Sequence, residues 1–146
     1  MKKKYKKVFS INLQPGYRNY TVKDLIDLKG KKKFTQILVT TPQEAAAAEE
    51  AEIDLLLVPP VSELPNIRKA ASKTFMTVSI PFIKHYSKEN IIKKSFEVLE
   101  TGADSLHCGS WNLNFMKHLF EFKIPFQGHA GLVPRKSTWI GGVKAF

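Results

Sequence analysis

The stretch Ile53-Asp54-Leu55-Leu56-Leu57-Val58 runs directly into Pro59-Pro60. A strand with one wet face alternates apolar and polar residues. This run is nearly continuous, which predicts a strand covered on both faces, as in a parallel sheet, and stopped by the two prolines. The neighbouring segments repeat the theme. Phe34 to Thr40 is β-branched and apolar and predicts a strand. Thr41-Pro42 then supplies an N-cap and a proline at the first helical position, and the Ala/Glu-rich segment from Gln43 to Glu52 follows as a helix.

Downstream, Ser62 to Ser72 predicts a helix, Phe75 to Ile80 a strand, and Ser87 the N-cap of a helix whose apolar stripe includes Ile91, Ile92, Phe96, Val98 and Leu99. Gly102 closes that helix. Ala103 to Cys108 predicts a strand, Asn112 to Phe122 a helix and Ile124 to Gln127 a fifth strand, leaving Gly128 to Phe146 as loop. Repeated β-α steps of this kind build an α/β fold, either an open doubly wound sheet or a (β/α)₈ barrel. A barrel takes roughly 250 residues, and the chain has 146. Either the sheet is open or the barrel is incomplete.

Composition narrows the function classes. With 43% apolar and 25% charged residues the chain is neither disordered nor fibrous. No run approaches the ~20 apolar residues of a membrane-spanning helix, and no apolar stretch follows the N-terminal lysines as in a secretory signal. The lone Cys108 excludes an internal disulfide and a multi-cysteine zinc site, and fits a cytoplasmic location. The net charge of +10 is concentrated: residues 1–33 hold eleven Lys/Arg against two acids, and the rest is nearly balanced. The expected domain organisation is a basic arm and lead-in over 1–33 and a β/α domain over 34–146. The arm reads as a solvated tail. Contact with phosphate is the alternative, but no nucleic-acid motif accompanies it.

Several phrases resemble the ketopantoate (3-methyl-2-oxobutanoate) hydroxymethyltransferase family. Gly128-His129-Ala-Gly131-Leu132-Val-Pro134 followed by Gly141-Gly142-Val-Lys144 is similar to the family's G-H-x-G-L-T-P and G-G-[YF]-K. In the same order come Thr21-Val22-x-Asp24-Leu25 with Lys29-Gly30, Ile53-Asp54-Leu-Leu-Leu-Val58, Ile80-Pro81-Phe82 and Gly102-Ala103-Asp104. The resemblance covers residues 20–146. It implies the first five units of a TIM barrel of the phosphoenolpyruvate/pyruvate type. The implied reaction is hydroxymethyl transfer from 5,10-methylenetetrahydrofolate to 3-methyl-2-oxobutanoate, a step of pantothenate biosynthesis. It also implies a Mg²⁺ ion held by two aspartates on the 2-oxo acid.

The site positions are substituted. The two metal-ligand positions fall on Pro60 and Ser79, and the serine that binds substrate falls on Val61. The lysine and glutamate of the fourth strand fall on His107 and Gly109. Asp54 and Asp104 begin strands, away from the active face of a barrel, and Glu44, Glu49, Glu50 and Glu52 read as solvated helix residues. What remains at the strands' C-terminal ends is Ser79, His107 and His129. These are the candidate substrate-binding residues, and the two histidines are the candidate catalytic ones. Zinc with Cys108 is a weaker alternative, because alternation turns Cys108 away from His107. Trp111 and Trp139 are candidate stacking partners for a pterin, or packing residues; His85 and His118 receive no role. The expected partners are a small 2-oxo acid and, because a cut barrel exposes strand edges, a second copy of the chain. A non-catalytic protein that binds a small acid or a partner chain is the alternative function, followed by a truncated copy with none.

Overall fold

Capping decides where the helices of this chain begin. Thr41 accepts from the Glu44 amide, and Glu44 reaches back to the Thr41 amide, a reciprocal capping box with Pro42 in the first turn. Ser87 caps its helix by accepting from the Asn90 amide. The computed structural model describes residues 5–80, 87–109, 113–129 and 131–144. In chain order these form β1 (Lys6–Phe9), β2 (Pro15–Arg18), α1 (Val22–Asp27), β3 (Gln36–Leu38), α2 (Pro42–Glu50), β4 (Leu55–Val58), α3 (Leu64–Ala70) and β5 (Phe75–Ser79). They continue with α4 (Lys88–Glu100), β6 (Ser105–Gly109), α5 (Leu113–Glu121), β7 (Phe126–His129), a 3₁₀ turn (Pro134–Lys136) and α6 (Ser137–Ile140).

Strands β3 to β7 make one five-stranded parallel sheet in sequential order. Its outer face, with Leu56, Val58, Met76, Val78 and Leu106, packs with Ala45 and Ala48 of α2, Ile67 of α3, Ile91 and Val98 of α4 and Leu119 of α5 into one buried core. The inner face is mixed. Leu55 and Phe75 line it beside Thr77 and Ser105, whose hydroxyls bond at 2.7 Å.

The sheet is strongly curled. Gln36 on edge strand β3 donates through Nε2 to Oε1 of Gln127 on the opposite edge, β7, at 3.2 Å. In a flat sheet these edges would lie about 19 Å apart, four strand spacings, beyond the reach of two glutamine side chains. The first and fifth strands of an eight-stranded ring, in contrast, face each other across its axis, where inward side chains meet. The chain is therefore an α/β half-ring with barrel curvature, and the open doubly wound sheet is excluded. Below the glutamine pair is a cavity of about 540 Å³, lined by Leu55, Phe75 and Thr77 of the sheet and closed from beneath by Leu25 of α1 and by Phe34.

Three sequence expectations need correction. Much of the segment 1–33 is folded: β1 and β2 pair as an antiparallel hairpin, and α1 carries its own capping box between Thr21 and Asp24. Arg18, counted with the basic arm, is 8% exposed and ion-paired with Asp104, which ties the hairpin to the sheet. Glu49 is not simply solvated; it accepts from the amides of Lys73 and Thr74 and from the Thr74 hydroxyl, all within 2.9 Å. Finally, the segment after Gly128 is not all loop, because β7 runs on to His129 and α6 follows, ending at Gly141 with φ of 71°.

Candidate functional site

The C-terminal ends of β5, β6 and β7 bring the three predicted residues together. Parallel pairing sets Ser79 beside His107 and Gly109 beside His129, and all three side chains fall on the inner face. Ser79 Oγ lies 3.2 Å from His107 Nδ1. The rings of His107 and His129 are 6.0 Å apart between centroids and tilted by 35°. The side chains are half-buried at the mouth of the trough, above the Gln36–Gln127 bond. Both edge glutamines escaped the sequence reading. Period-two alternation from Gln36 and from Gln127 would have turned them inward, but only the curl of the sheet makes them meet.

Electrostatics make His107 a neutral imidazole at neutral pH. Burial, first, and the field of His129, second, hold its pKa below the ordinary value of about 6.5. When the ring hydrogen sits on Nδ1 and is donated to Ser79 Oγ, Nε2 keeps its lone pair and the serine keeps its own O–H to donate. The arrangement can take up a proton and present hydrogen-bond donors to a small anion.

The two carboxylates that precede the strands, Asp54 and Asp104, are at the other end of the sheet, and both are engaged. Asp104 accepts from Arg18 Nε at 2.7 Å, from Arg68 Nη1 at 3.1 Å and from the Met76 amide at 2.9 Å. Asp54 accepts from the Thr35 amide and hydroxyl, at 3.1 and 3.2 Å, and pairs with Lys32 at 3.2 Å. Arg68 reaches the carbonyls of Ala71 and Thr74 as well, and burial lowers its pKa to about 10 against the opposing pull of Asp104. The sequence reading missed both arginines, Arg18 ahead of the sheet and Arg68 on α3, because neither belongs to a motif.

This donor set does not fit magnesium. The ion takes carboxylate oxygens in near-octahedral geometry, whereas the two positions that the resemblance gives it are Pro60, with no side-chain donor, and Ser79, whose hydroxyl is on His107. Among the described residues no three His, Cys, Asp or Glu converge on a point where an ion would sit. Trp139 is 90% exposed on α6, and His118 pairs with Glu121 on α5 at 2.8 Å. Trp111 and His85 lie outside the described residues.

Comparison with known proteins agrees with the motif reading. The family described as ketopantoate hydroxymethyltransferase matches residues 61–146. A 3-methyl-2-oxobutanoate hydroxymethyltransferase of Kosmotoga olearia is 29% identical over 146 aligned positions, covering 84% of this chain and 55% of the relative. The like-named protein of Pyrococcus furiosus is 24% identical, covering 87% of this chain and 53% of its own length. A third, from Buchnera aphidicola, is 29% identical over 80 positions. The chain thus spans about half the length of the curated relatives it matches. No helix among the described residues is long and apolar enough to cross a membrane. With its matched segment holding β5, β6 and β7, the last ending in Gly128-His129, the chain belongs to the ketopantoate hydroxymethyltransferase family.

Proposed function

We propose that this chain binds 3-methyl-2-oxobutanoate at Ser79, His107 and His129 and acts in hydroxymethyl transfer onto it, with 5,10-methylenetetrahydrofolate as the one-carbon donor. The supporting observation is the Ser79–His107 hydrogen bond with the His129 ring beside it, at the C-terminal strand ends where barrel enzymes place their chemistry. Carbon–carbon bond formation needs a nucleophile at C3 of the oxo acid, and loss of the C3 proton beside the ketone supplies one as an enolate. His107 takes that proton on Nε2: its ring is held neutral by burial, and Ser79 fixes its orientation through Nδ1. The C3 carbon then bonds to the donor's methylene carbon as its two C–N bonds break, water supplying the hydroxyl group and one proton and His107 returning the other, so that both protons end on the donor's nitrogens.

The same proposal includes a cytoplasmic location and self-association. Among the described residues β3 is an edge strand of the sheet, and its exposed Ile37 and Leu38, 43% and 59% accessible, support self-association. One observation favours a second reading, in which the acid is bound but not transferred: every carboxylate that Asp54 and Asp104 supply faces the opposite end of the sheet.

The test is loss of the C3 proton signal of 3-methyl-2-oxobutanoate in D₂O, followed by NMR with folded protein. Exchange above a buffer control that disappears in His107→Ala supports transfer chemistry. Saturation-transfer binding without exchange favours the second reading. Neither exchange nor binding overturns both.

A further inference from the structure

The enolate oxygen formed beside the ketone carries negative charge, and a hard dication would be the usual partner for it. Among the described residues the strand ends offer no such ligand set, but they do offer donors. Once Ser79 Oγ accepts from His107 Nδ1, at 3.2 Å, its own O–H remains to be donated. His129 presents a ring whose centroid is 6.0 Å from that of His107. At that separation the two rings form a tilted pair, and one small molecule can contact both, since a donor nitrogen sits about 2.9 Å from the oxygen it serves. The base thus stands between the two donors: His107 has Ser79 on one neighbouring strand and His129 on the other.

We propose that a ring N–H of His129 and the O–H of Ser79, rather than a divalent cation, hold the oxygen of the 2-oxo acid on which charge develops, so that enolisation by this chain is metal-independent. The inference rests on the proposed 2-oxo-acid reading and assigns its electrophilic partner. The step balances without a co-reactant: the C3–H bond breaks, its proton goes to His107 Nε2, and the electron pair moves into the C2–C3 bond as charge passes to the C2 oxygen. In D₂O the ring returns a deuteron to C3. Such preorganised donors act where the charge appears, and removing one from an oxyanion site typically costs a factor of 10² to 10³ in rate.

The experiment follows C3–H exchange of 3-methyl-2-oxobutanoate in D₂O with the full chain, stripped by a chelator and then resupplied with Mg²⁺. Wild type, Ser79→Ala, His129→Ala, His129→Gln and the surface control His118→Ala are first matched by circular dichroism. The proposal expects equal exchange with and without chelator, a fall of roughly 10²-fold in His129→Ala, a smaller fall in Ser79→Ala and no change in His118→Ala. His129→Gln keeps an N–H donor, so it should regain part of the loss, and it replaces His129→Ala if that variant does not fold. Exchange abolished by chelator and restored by Mg²⁺ overturns the inference and leaves the oxo-acid reading standing. Chelator-resistant exchange that survives His129→Ala or His129→Gln and Ser79→Ala also overturns it. No exchange by folded wild type under any condition overturns it together with transfer chemistry.

Discussion

Replacing Asp104 by Ala should nearly unfold this protein, although the residue lies at the end of the sheet remote from Ser79 and His107. Its carboxylate is the common acceptor for Arg18, at 2.7 and 3.0 Å, for Arg68 at 3.1 Å and for the Met76 amide at 2.9 Å. The side chains of Arg18, Arg68 and Asp104 itself are only 9%, 11% and 15% exposed, so water cannot replace what is lost. Removing one member of a buried ion pair costs about 3–5 kcal/mol, because the charge left behind is uncompensated. Here two guanidinium groups are left. A domain of this size has about 5–15 kcal/mol in total, so the variant should lose a large share of its stability and melt roughly 12–20 °C lower. Urea denaturation followed by circular dichroism measures it, with Asp104→Asn as the milder variant that keeps an acceptor oxygen. A loss below about 1 kcal/mol for Asp104→Ala would refute the reasoning, and would mean the arginines find other partners or water.

Other expectations are read from single contacts. Gly102→Ala should destabilise by about 1–3 kcal/mol, since φ there is 93° and a Cβ would lie 2.8 Å from Arg68 Cγ; urea midpoints check it, and a neutral result would mean the Arg68 clamp is loose. Thr41→Ala should cost about 1 kcal/mol by removing the cap of α2, whose side chain accepts from the Glu44 amide at 3.2 Å; an unchanged midpoint contradicts it. Because burial and then His129 depress the His107 pKa, with Ser79 and Gln127 as its other strand neighbours, the neutral ring persists below the ordinary imidazole value. Exchange should therefore stay level from pH 8 to about 6.5 and fall only under that value. Folding stability due to His107 is likewise present above its ordinary pKa and lost as pH falls from there toward the lower folded one. An exchange midpoint above about 6.5 would contradict the assignment.

The β-α order was legible because each element carries its own local signal. Leu55 to Val58 is apolar without alternation, Thr41-Pro42 marks a helix start and Gly102 a helix end, and all three act where the structure places them, with φ of 93° at Gly102. Ser79, His107 and His129 were legible as strand-end residues because strand length alone fixes their level. What stayed hidden depends on long-range closure. Arg18 meets Asp104 across 86 residues and Gln36 meets Gln127 across 91, and neither pair leaves a periodic trace in the sequence. The hairpin of β1 and β2 was masked by its lysines, since a strand of Lys6-Lys7-Val8-Phe9 lacks a clean apolar face.

The central claim is that a 2-oxo acid is held by the strand-end cluster, and histidine ring NMR reads that cluster directly. With 3-methyl-2-oxobutanoate added to the folded chain, the ring signals of His107 and His129 should shift together and saturably while those of His118, paired with Glu121 on α5, stay in place. Shifts confined to His118, or no shift at either strand-end ring at saturating acid, would contradict the account.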